Sequence, residues 1–412
     1  MRLKVKGIHH ISGIVEHPQE NIDFYTSVLG LKAVKKAVNF DNPETYHFYY
    51  SNDSADLGTI ITFFPWADKA KKGLVGDGQV GVTSYMIPVG TIGYWEERLK
   101  SFKIIFEREY RFNQTFLAFE DKHGIKNELV ESPLGSENEW EFNNITKDKA
   151  IKGFFGAVFY SKKTHETKDF LINILGLELV KEDELYYRFE MKNNVGKYID
   201  LYKESQGEGR LSTGTNHHIA FSVGYDEIDD WKKFLELNGF KVSDVKNRNF
   251  FKSLYFREPG GIIIELATDK PGFKKAELDP KMEKLYLPEW FENRRTEIEE
   301  KLIPVFVEPT EELKDYPYQN KEEYELYIYH QTLLKRINEL SRISKTRKLT
   351  DEEITEREEL RNKYVINIRS GMTDLITTVK FEDKDGEVKD FFTMKEGDLQ
   401  WKSYKEFTML LQ

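Results

Sequence analysis

The 412-residue chain contains no cysteine. That absence excludes disulfides, thiolate metal sites, iron–sulfur clusters and cysteine nucleophiles together, so any bound metal must be held by His, Asp, Glu, Tyr or water. Positive charge is not in excess either: 61 Lys and Arg against 71 Asp and Glu leave a net charge of −10. This argues against nucleic acid or an anionic membrane as a partner. No apolar run reaches the ~20 residues that a membrane helix requires. The N-terminal stretch MRLKVKGIHHISGIV carries two histidines in its apolar part and no small-residue cleavage site, so it does not read as a signal peptide. The expectation is a cytoplasmic globular protein. Histidine is scarce, nine in all, yet four of the nine form two adjacent pairs, His9–His10 and His217–His218.

What the chain does have is an internal repeat. Four segments share one plan: a short apolar strand, an amphipathic helix, a corner that is often Leu-Gly or Asn-Gly, then three strands, the last preceded by glycine. They open at IHHISGIV, VTSYMIPV, FFGAVFYS and HHIAFSV, and DFYTSVLGL in the first matches DFLINILGL in the third. In the first module Ile22, Tyr25 and Leu29 make one helical face, with Pro18 in the first turn. Further helices are expected around Tyr94 to Ser101 and Asp229 to Leu237. Four such units define an α+β chain with mixed sheets covered on one side by helices.

Over roughly residues 5 to 270 the sequence resembles the vicinal oxygen chelate superfamily, and within it the four-module glyoxalase/bleomycin-resistance/dioxygenase type. The phrases HHISGIVEHPQENIDFYTSVLGL, TYHFYYSNDSADLGTIITFFPW, GTNHHIAFSV and YFREPGGIIIELATD look like those of bacterial ring-cleaving dioxygenases that act on hydroquinones. The resemblance implies four βαβββ modules forming two curled mixed sheets that enclose a metal site.

Aligning the modules on their first and last strands gives one candidate ligand set for each pairing. The first strands offer His10, Ser84, Phe155 and His218, and the last strands offer Thr62, Glu128, Asp200 and Glu265. Only modules one and four together assemble two histidines and a carboxylate: His10, His218 and Glu265. Modules two and three then form a metal-free copy in which Glu128 and Asp200 make structural salt bridges. A lone strand histidine is ordinarily a packed or surface residue. Two at equivalent repeat positions, with Glu265 embedded in IIIEL, call for a cation to offset the buried charge.

Two imidazoles and one carboxylate on one face, with open positions opposite, is the ligand set of non-haem Fe(II) oxygenases; Mn(II) or another divalent metal suits it as well. Strand alternation sends one histidine of each pair toward the metal, and module spacing and the resemblance both select His10 and His218. His9 and His217 then become candidates for orienting a ligand or carrying a substrate proton. By resemblance, Tyr255 and Arg248 face the pocket, where a phenol and a guanidinium would stabilise negative charge on oxygen. Ser12, two beyond His10 and on the same strand face, adds a hydroxyl. His17, His47, His123, His165 and His330 read as turn or exposed positions without chemistry. Pro259-Gly260-Gly261 reads as a turn before a strand and not as a phosphate cradle.

The expected division is residues 1–140 for modules one and two, 141–306 for modules three and four with a closing charged helix, and 307–412 for a helical extension. Leu333, Ile337 and Leu340 form a stripe, and Thr350 to Glu353 a capping box that opens a second helix, so an αα-hairpin is expected. The stretch LLKRINELSRISKTRKLTDEEITEREELRNKYVINIRSGM resembles a small uncharacterised bacterial family of two-helix proteins. A solvated appendage or an oligomerisation arm fits it better than a catalytic role. Beyond it, DKDGE reads as a turn between short strand-like runs. The functional expectation is an Fe(II)-dependent extradiol-type dioxygenase that opens para-hydroquinone rings with O2 and so removes quinone-forming aromatics. A glyoxalase-like or thiol-transferring Lewis-acid enzyme on the same scaffold, and a non-catalytic aromatic-binding protein, are the alternatives.

Overall fold

The computed structural model describes residues 3–67, 70–274, 277–378, 380–382 and 388–390. Its chain separates into two compact units, Met1–Tyr324 and Glu325–Gln412.

The first unit holds the four modules. Module one comprises β1 (Ile8–Val15), α1 (Pro18–Ile22) running into a wider helical turn at Asp23–Val28, β2 (Lys32–Val38), β3 (Tyr46–Ser51) and β4 (Ile60–Pro65). Module two has β5 (Gln79–Ile87), α2 (Ile92–Ser101), β6 (Phe106–Arg111), β7 (Gln114–Glu120) and β8 (Lys126–Glu131). Module three has β9 (Gly153–Tyr160), α3 (Thr164–Asn173), β10 (Glu178–Glu182), β11 (Tyr186–Glu190) and β12 (Tyr198–Tyr202). Module four has β13 (Thr215–Val223), α4 (Ile228–Leu237), β14 (Lys246–Asn247), β15 (Lys252–Arg257) and β16 (Ile263–Thr268).

The modules pair as the ligand arithmetic requires. One mixed sheet runs β14-β15-β16-β13-β1-β4-β3-β2, closed at its edge by β17 (Leu285–Tyr286), and joins modules four and one through the antiparallel pair β1–β13. The other runs β10-β11-β12-β9-β5-β8-β7-β6 and joins modules three and two through β5–β9. The central strands β1, β5, β9 and β13 are buried along almost their whole length, which is why they read as near-continuous apolar runs. The sheets are sealed by helix residues such as Trp95, Phe170, Leu171 and Trp231, all in one continuous core. Between the halves, Asn216 Nδ2 donates to the Val80 carbonyl at 3.2 Å.

Each central pair carries two β-bulges. Along β1–β13 the register steps from Ile8↔Phe221 to His10↔Ala220, leaving His9 as an extra residue, and from Ser12↔His218 to Gly13↔Asn216, leaving His217 extra. In β5–β9 the extra residues are Gly81 and Phe155. The bulges fix the true equivalence of the halves and correct the sequence alignment. Ser84, paired with Glu128, matches Ser12, paired with Thr62; Phe155 matches His217; the counterparts of His10 and His218 are Val82 and Gly156. Counting residues from strand ends misses this, because a bulge adds a residue without advancing the partner strand.

In the half built from modules two and three, Glu128 and Asp200 are nearly fully buried and are neutralised internally. Arg111 donates through Nη1 to Glu128 Oε2 at 2.9 Å, through Nη2 to Oε1, and through Nε to Asp200 Oδ2 at 2.7 Å. Arg188 grips Asp200 with Nε and Nη2, both at 2.7 Å. Ser84 Oγ also donates to Glu128. The salt bridges expected there are present.

The expected closing helix is shorter: a tight 3₁₀ turn at Glu289–Arg294 and α5 (Arg295–Lys301). An extended strap then runs along module one. Gln19 exchanges hydrogen bonds with the Phe306 backbone at 2.8 and 2.9 Å, and Tyr316 OH donates to Asp23 Oδ2 at 2.7 Å. The composition shift near Val307 thus falls within this strap. The second unit contains most of α6 (Lys321–Thr346) and all of α7 (Asp351–Thr378). Thr350 Oγ1 accepts from the Glu353 amide at 3.2 Å while Glu353 Oε2 accepts from the Thr350 amide at 2.9 Å, the expected capping box. Arg336 spans to Glu356 with two 2.8 Å bonds. Lys380–Glu382 and Val388–Asp390 pair as antiparallel strands; the turn expected at DKDGE, residues 383–387, and residues 391–412 lie outside the described residues.

Arg111 is the cation on which the half built from modules two and three depends. Arg111→Met leaves Glu128 without its guanidinium partner, and urea denaturation is expected to show a loss of about 3–5 kcal/mol. Arg111→Met combined with Glu128→Gln is expected to recover much of it.

Candidate active site

Three elements bring the sequence-predicted ligands together. His10 and His218 come from the paired strands β1 and β13, and Glu265 from β16, where it lies beside Ala220 in parallel register. The turn before β16 is fixed from below: Glu258 accepts from the amides of Gly260 and Ile262, both at 2.9 Å, and from Thr167 at 2.6 Å. Gly261 takes φ +101°, a conformation that suits glycine.

His10 Nε2, His218 Nε2 and Glu265 Oε2 converge, separated by 3.3, 3.2 and 2.9 Å. Among the described residues they form a group able to hold a metal ion, with donor atoms all within 4.8 Å of one another. Ligand atoms at ~2.1 Å from one ion and at right angles to each other lie about 3 Å apart, so the observed triangle fits three adjacent positions of a metal site. The carboxylate is fully buried, and neither oxygen receives a directed hydrogen bond. Burial alone would raise its pKa, but the flanking His10 and His218 pull it well below the usual carboxylate range. Burial holds His218 below its usual value despite Glu265 beside it. An ionised carboxylate and a neutral imidazole are the forms that bind a cation.

The bulges place the outer histidines behind the inner ones. His9 Nδ1 lies 2.9 Å from His10 Nδ1, and His217 Nδ1 lies 2.7 Å from His218 Nδ1. For His10 to present a lone pair at Nε2, its Nδ1 must carry the proton and donate to His9 Nδ1. The remaining nitrogen of His9 then donates to the Thr268 carbonyl. Burial, reinforced by the neighbouring inner histidine, lowers His9 and His217 to about 3, so both are neutral near pH 7. His217 lines the cavity, whereas His9 is buried and packs on Phe251 with ring centroids 4.8 Å apart.

The site opens into a cavity of about 350 Å³ whose lining includes Phe40, Tyr49, Phe64, Trp66, Phe251 and Tyr255. Tyr255 pairs across strands with Glu265 and meets the His218 ring edge to face at 5.5 Å. Burial and the Glu265 charge raise its phenol well above 10, so it remains a donor. Arg248 also lines the cavity, its guanidinium 5.8 Å from the Tyr255 ring and 5.5 Å from that of Phe40. Ser12 faces the cavity, its Oγ 2.7 Å from Thr62 Oγ1. The cross-strand equivalent of Tyr255 is Arg188, opposite Asp200. At this one position the half built from modules two and three has a guanidinium and the other half a neutral phenol.

Of the five histidines read as turn or exposed positions, only His165 is exposed. His47 on β3 lines the cavity, bonded through Nε2 to Thr62 Oγ1 at 3.0 Å and through Nδ1 to Tyr49 OH at 2.8 Å. Its signal was its position one strand beyond Thr62 in the same sheet. His17 caps α1, its Nδ1 accepting from the Gln19 amide at 3.2 Å, and its Nε2 donates to the Tyr318 carbonyl. His123 is buried in the turn before β8. His165 is exposed on α3, and His330 on α6 is half-buried against Tyr364.

Comparison with known proteins agrees with this geometry. Residues 7–129 and 156–266 match the family described as the Glyoxalase/Bleomycin resistance protein/Dioxygenase superfamily, and the chain belongs to it. It is 47% identical over 306 residues to MhqO of Bacillus subtilis, named as a candidate ring-cleaving dioxygenase, covering 74% of this chain and 98% of that protein. It is 32% identical over 275 residues to the chlorohydroquinone/hydroquinone 1,2-dioxygenase of Sphingobium indicum, covering 64% and 86%. The crystal structure of a candidate dioxygenase from B. subtilis superposes with a TM-score of 0.72 at 45% identity, over 75% of this chain and all of that one. Within the superfamily the chain is a dioxygenase enzyme. Residues 332–389 match the family "Bacterial protein of unknown function (DUF896)", and a UPF0291 protein of Lactobacillus johnsonii is 42% identical over 57 residues, 14% of this chain and 70% of that protein. No helix among the described residues is long and apolar enough to cross a membrane.

Two measurements check the site. Stripped of metal and titrated with a divalent ion, the protein is expected to gain about 2.7 kcal/mol of stability at a hundredfold the Kd, read as a rise in Tm; Glu265→Gln should lose that rise. Tyr255→Arg imitates the other half, so its guanidinium is expected to pair with Glu265 and abolish metal uptake in a protein that still folds, followed by metal analysis and circular dichroism.

Proposed function

We propose that this chain is an Fe(II)-dependent, extradiol-type dioxygenase that opens the ring of para-hydroquinones bearing a small substituent such as methyl. The observation that carries this reading is the buried triad of two imidazoles and one carboxylate at the floor of an aromatic-lined cavity. The relatives' names support it.

His10, His218 and Glu265 would hold the ion, leaving its other positions toward the cavity. When bound, a redox-active divalent metal supplies the electronic coupling between an aromatic ring and O2, which do not otherwise react readily. The remaining chemistry belongs to the chain. Phe40, Phe64, Trp66 and Phe251 enclose a flat ring and keep water from it. Arg248, held charged by Tyr255 and Glu265 in spite of burial, and the protonated Tyr255 offer positive charge and a hydrogen bond to a reacting oxygen. His217, neutral against the cavity wall, accepts from His218 Nδ1 at its own Nδ1, so its remaining nitrogen carries the proton and can donate it toward the cavity. Thr62 stands where a fourth protein ligand could have been. Its hydroxyl is taken by Ser12 and His47, which favours open coordination over a closed Lewis-acid site.

Loading with Fe(II) under anaerobic conditions, then adding methylhydroquinone and oxygen, is expected to consume one O2 per ring opened; His10→Ala should lose metal and turnover together. Absence of uptake with every hydroquinone and catechol tried would overturn the reading. Ligand binding that survives His10→Ala without turnover would point instead to a non-catalytic binding protein.

A further inference from the structure

Three neighbouring strands carry an unbroken chain of hydrogen bonds along the cavity. Thr62 on β4 lies opposite Ser12 on β1 and opposite Tyr49 on β3. Ser12 Oγ and Thr62 Oγ1 are 2.7 Å apart, Thr62 Oγ1 and His47 Nε2 3.0 Å, and His47 Nδ1 and Tyr49 OH 2.8 Å. Ser12, His47 and Tyr49 all line the cavity, while Thr62 is buried behind them. In the other half the Ser12–Thr62 pair is replaced by Ser84–Glu128, locked by Arg111, and no comparable chain occurs there among the described residues.

We propose that Ser12, Thr62, His47 and Tyr49 form a proton relay that carries away the proton a phenolic substrate gives up on binding, with Thr62 as its indispensable link. This rests on the reading of the site as a phenol-binding centre. Each member can donate and accept at once. The phenol O–H bond breaks as its proton passes to Ser12 Oγ. Ser12 gives its own proton to Thr62 Oγ1, Thr62 gives its own to His47 Nε2, His47 releases the Nδ1 proton to Tyr49, and Tyr49 releases its former hydroxyl proton to water in the cavity. One phenol becomes one phenolate, one proton reaches solvent, and no other co-reactant is needed. Every bond in the chain then points the opposite way, and the chain is reset when a proton from solvent returns along it to the ring-opened product. His47 suits a conductor better than a reservoir, since burial and the nearby His10, His218 and Arg248 keep its imidazole neutral. The buried hydroxyl of Thr62, satisfied on both sides, has a use here that a valine of the same shape would not serve. Thr62 is a positioning residue, since it acts only through Ser12 and His47.

The relay is tested on the full chain loaded with Zn(II) and kept free of oxygen, using 4-nitrophenol, whose phenolate absorbs at longer wavelength than the phenol. Stopped-flow mixing below the pKa of the free phenol should show phenolate forming in the site, with a slower rate in D2O. Thr62→Val is expected to slow this step by at least about tenfold while leaving metal content and the final phenolate amplitude unchanged. Thr62→Ser should restore the rate. Wild-type speed and an unchanged D2O effect in Thr62→Val, or a Thr62→Ser protein as slow as the valine variant, would overturn the relay. If the wild-type protein then still consumes O2 with methylhydroquinone, the relay alone falls. If the wild-type protein forms no phenolate and consumes no O2 with any hydroquinone, the underlying reading falls with it.

Discussion

A buried carboxylate needs a positive partner, and this molecule meets that need twice in different ways. In the half built from modules two and three, Glu128 and Asp200 are neutralised by Arg111 and Arg188, and the charge is closed within the protein. In the half built from modules one and four, Glu265 is equally buried, and the groups nearest its Oε2 are the Nε2 atoms of His10 and His218, with no arginine or lysine among them. Deep burial of an unpaired charge costs several kcal/mol. On the proposed function a cation from outside offsets the charge in the second arrangement, and function enters at that deficit.

The difference between the halves comes down to few positions because the architecture is shared. Arg188 and Tyr255 occupy matching places opposite Asp200 and Glu265, and Glu128 and Thr62 matching places opposite Ser84 and Ser12. An arginine at the first position and a carboxylate at the second seal a site; a tyrosine and a threonine leave it open and line it with hydroxyls. The bulges add a further distinction. With glycine and phenylalanine as the extra residues they only bend the strands, but with His9 and His217 they stack a second imidazole behind each inner one and fix which nitrogen faces the centre.

Much of this was legible in sequence. Adjacent histidine pairs in two first strands and a glutamate inside IIIEL sufficed to pair module one with module four, because only that pairing concentrates the donors. Charge neutralisation of Glu128 and Asp200 followed from the lack of histidine beside them. Fine register was not legible, since a bulge leaves no residue type of its own and displaces every count taken across it; Ser84 and Phe155 were misaligned for this reason. His47 was missed because a polar residue in an alternating strand shows neither which face it takes nor what lies across the sheet, and its partners Thr62 and Tyr49 are set by tertiary pairing. The strap from Leu302 to Tyr318 was obscured for a similar reason: its contacts with Gln19, Asp23 and His17 are made through backbone groups and single polar atoms that carry no periodicity.

The central claim is that one divalent metal sits where the two end modules meet. A crystal structure of the iron-loaded protein, with anomalous diffraction recorded on both sides of the iron absorption edge, tests this most directly. The account predicts one strong peak per chain within about 2.0–2.2 Å of His10 Nε2, His218 Nε2 and a Glu265 oxygen, and none between Glu128 and Asp200. A peak bound elsewhere, or an empty centre with Glu265 bonded to protonated histidines, would contradict it.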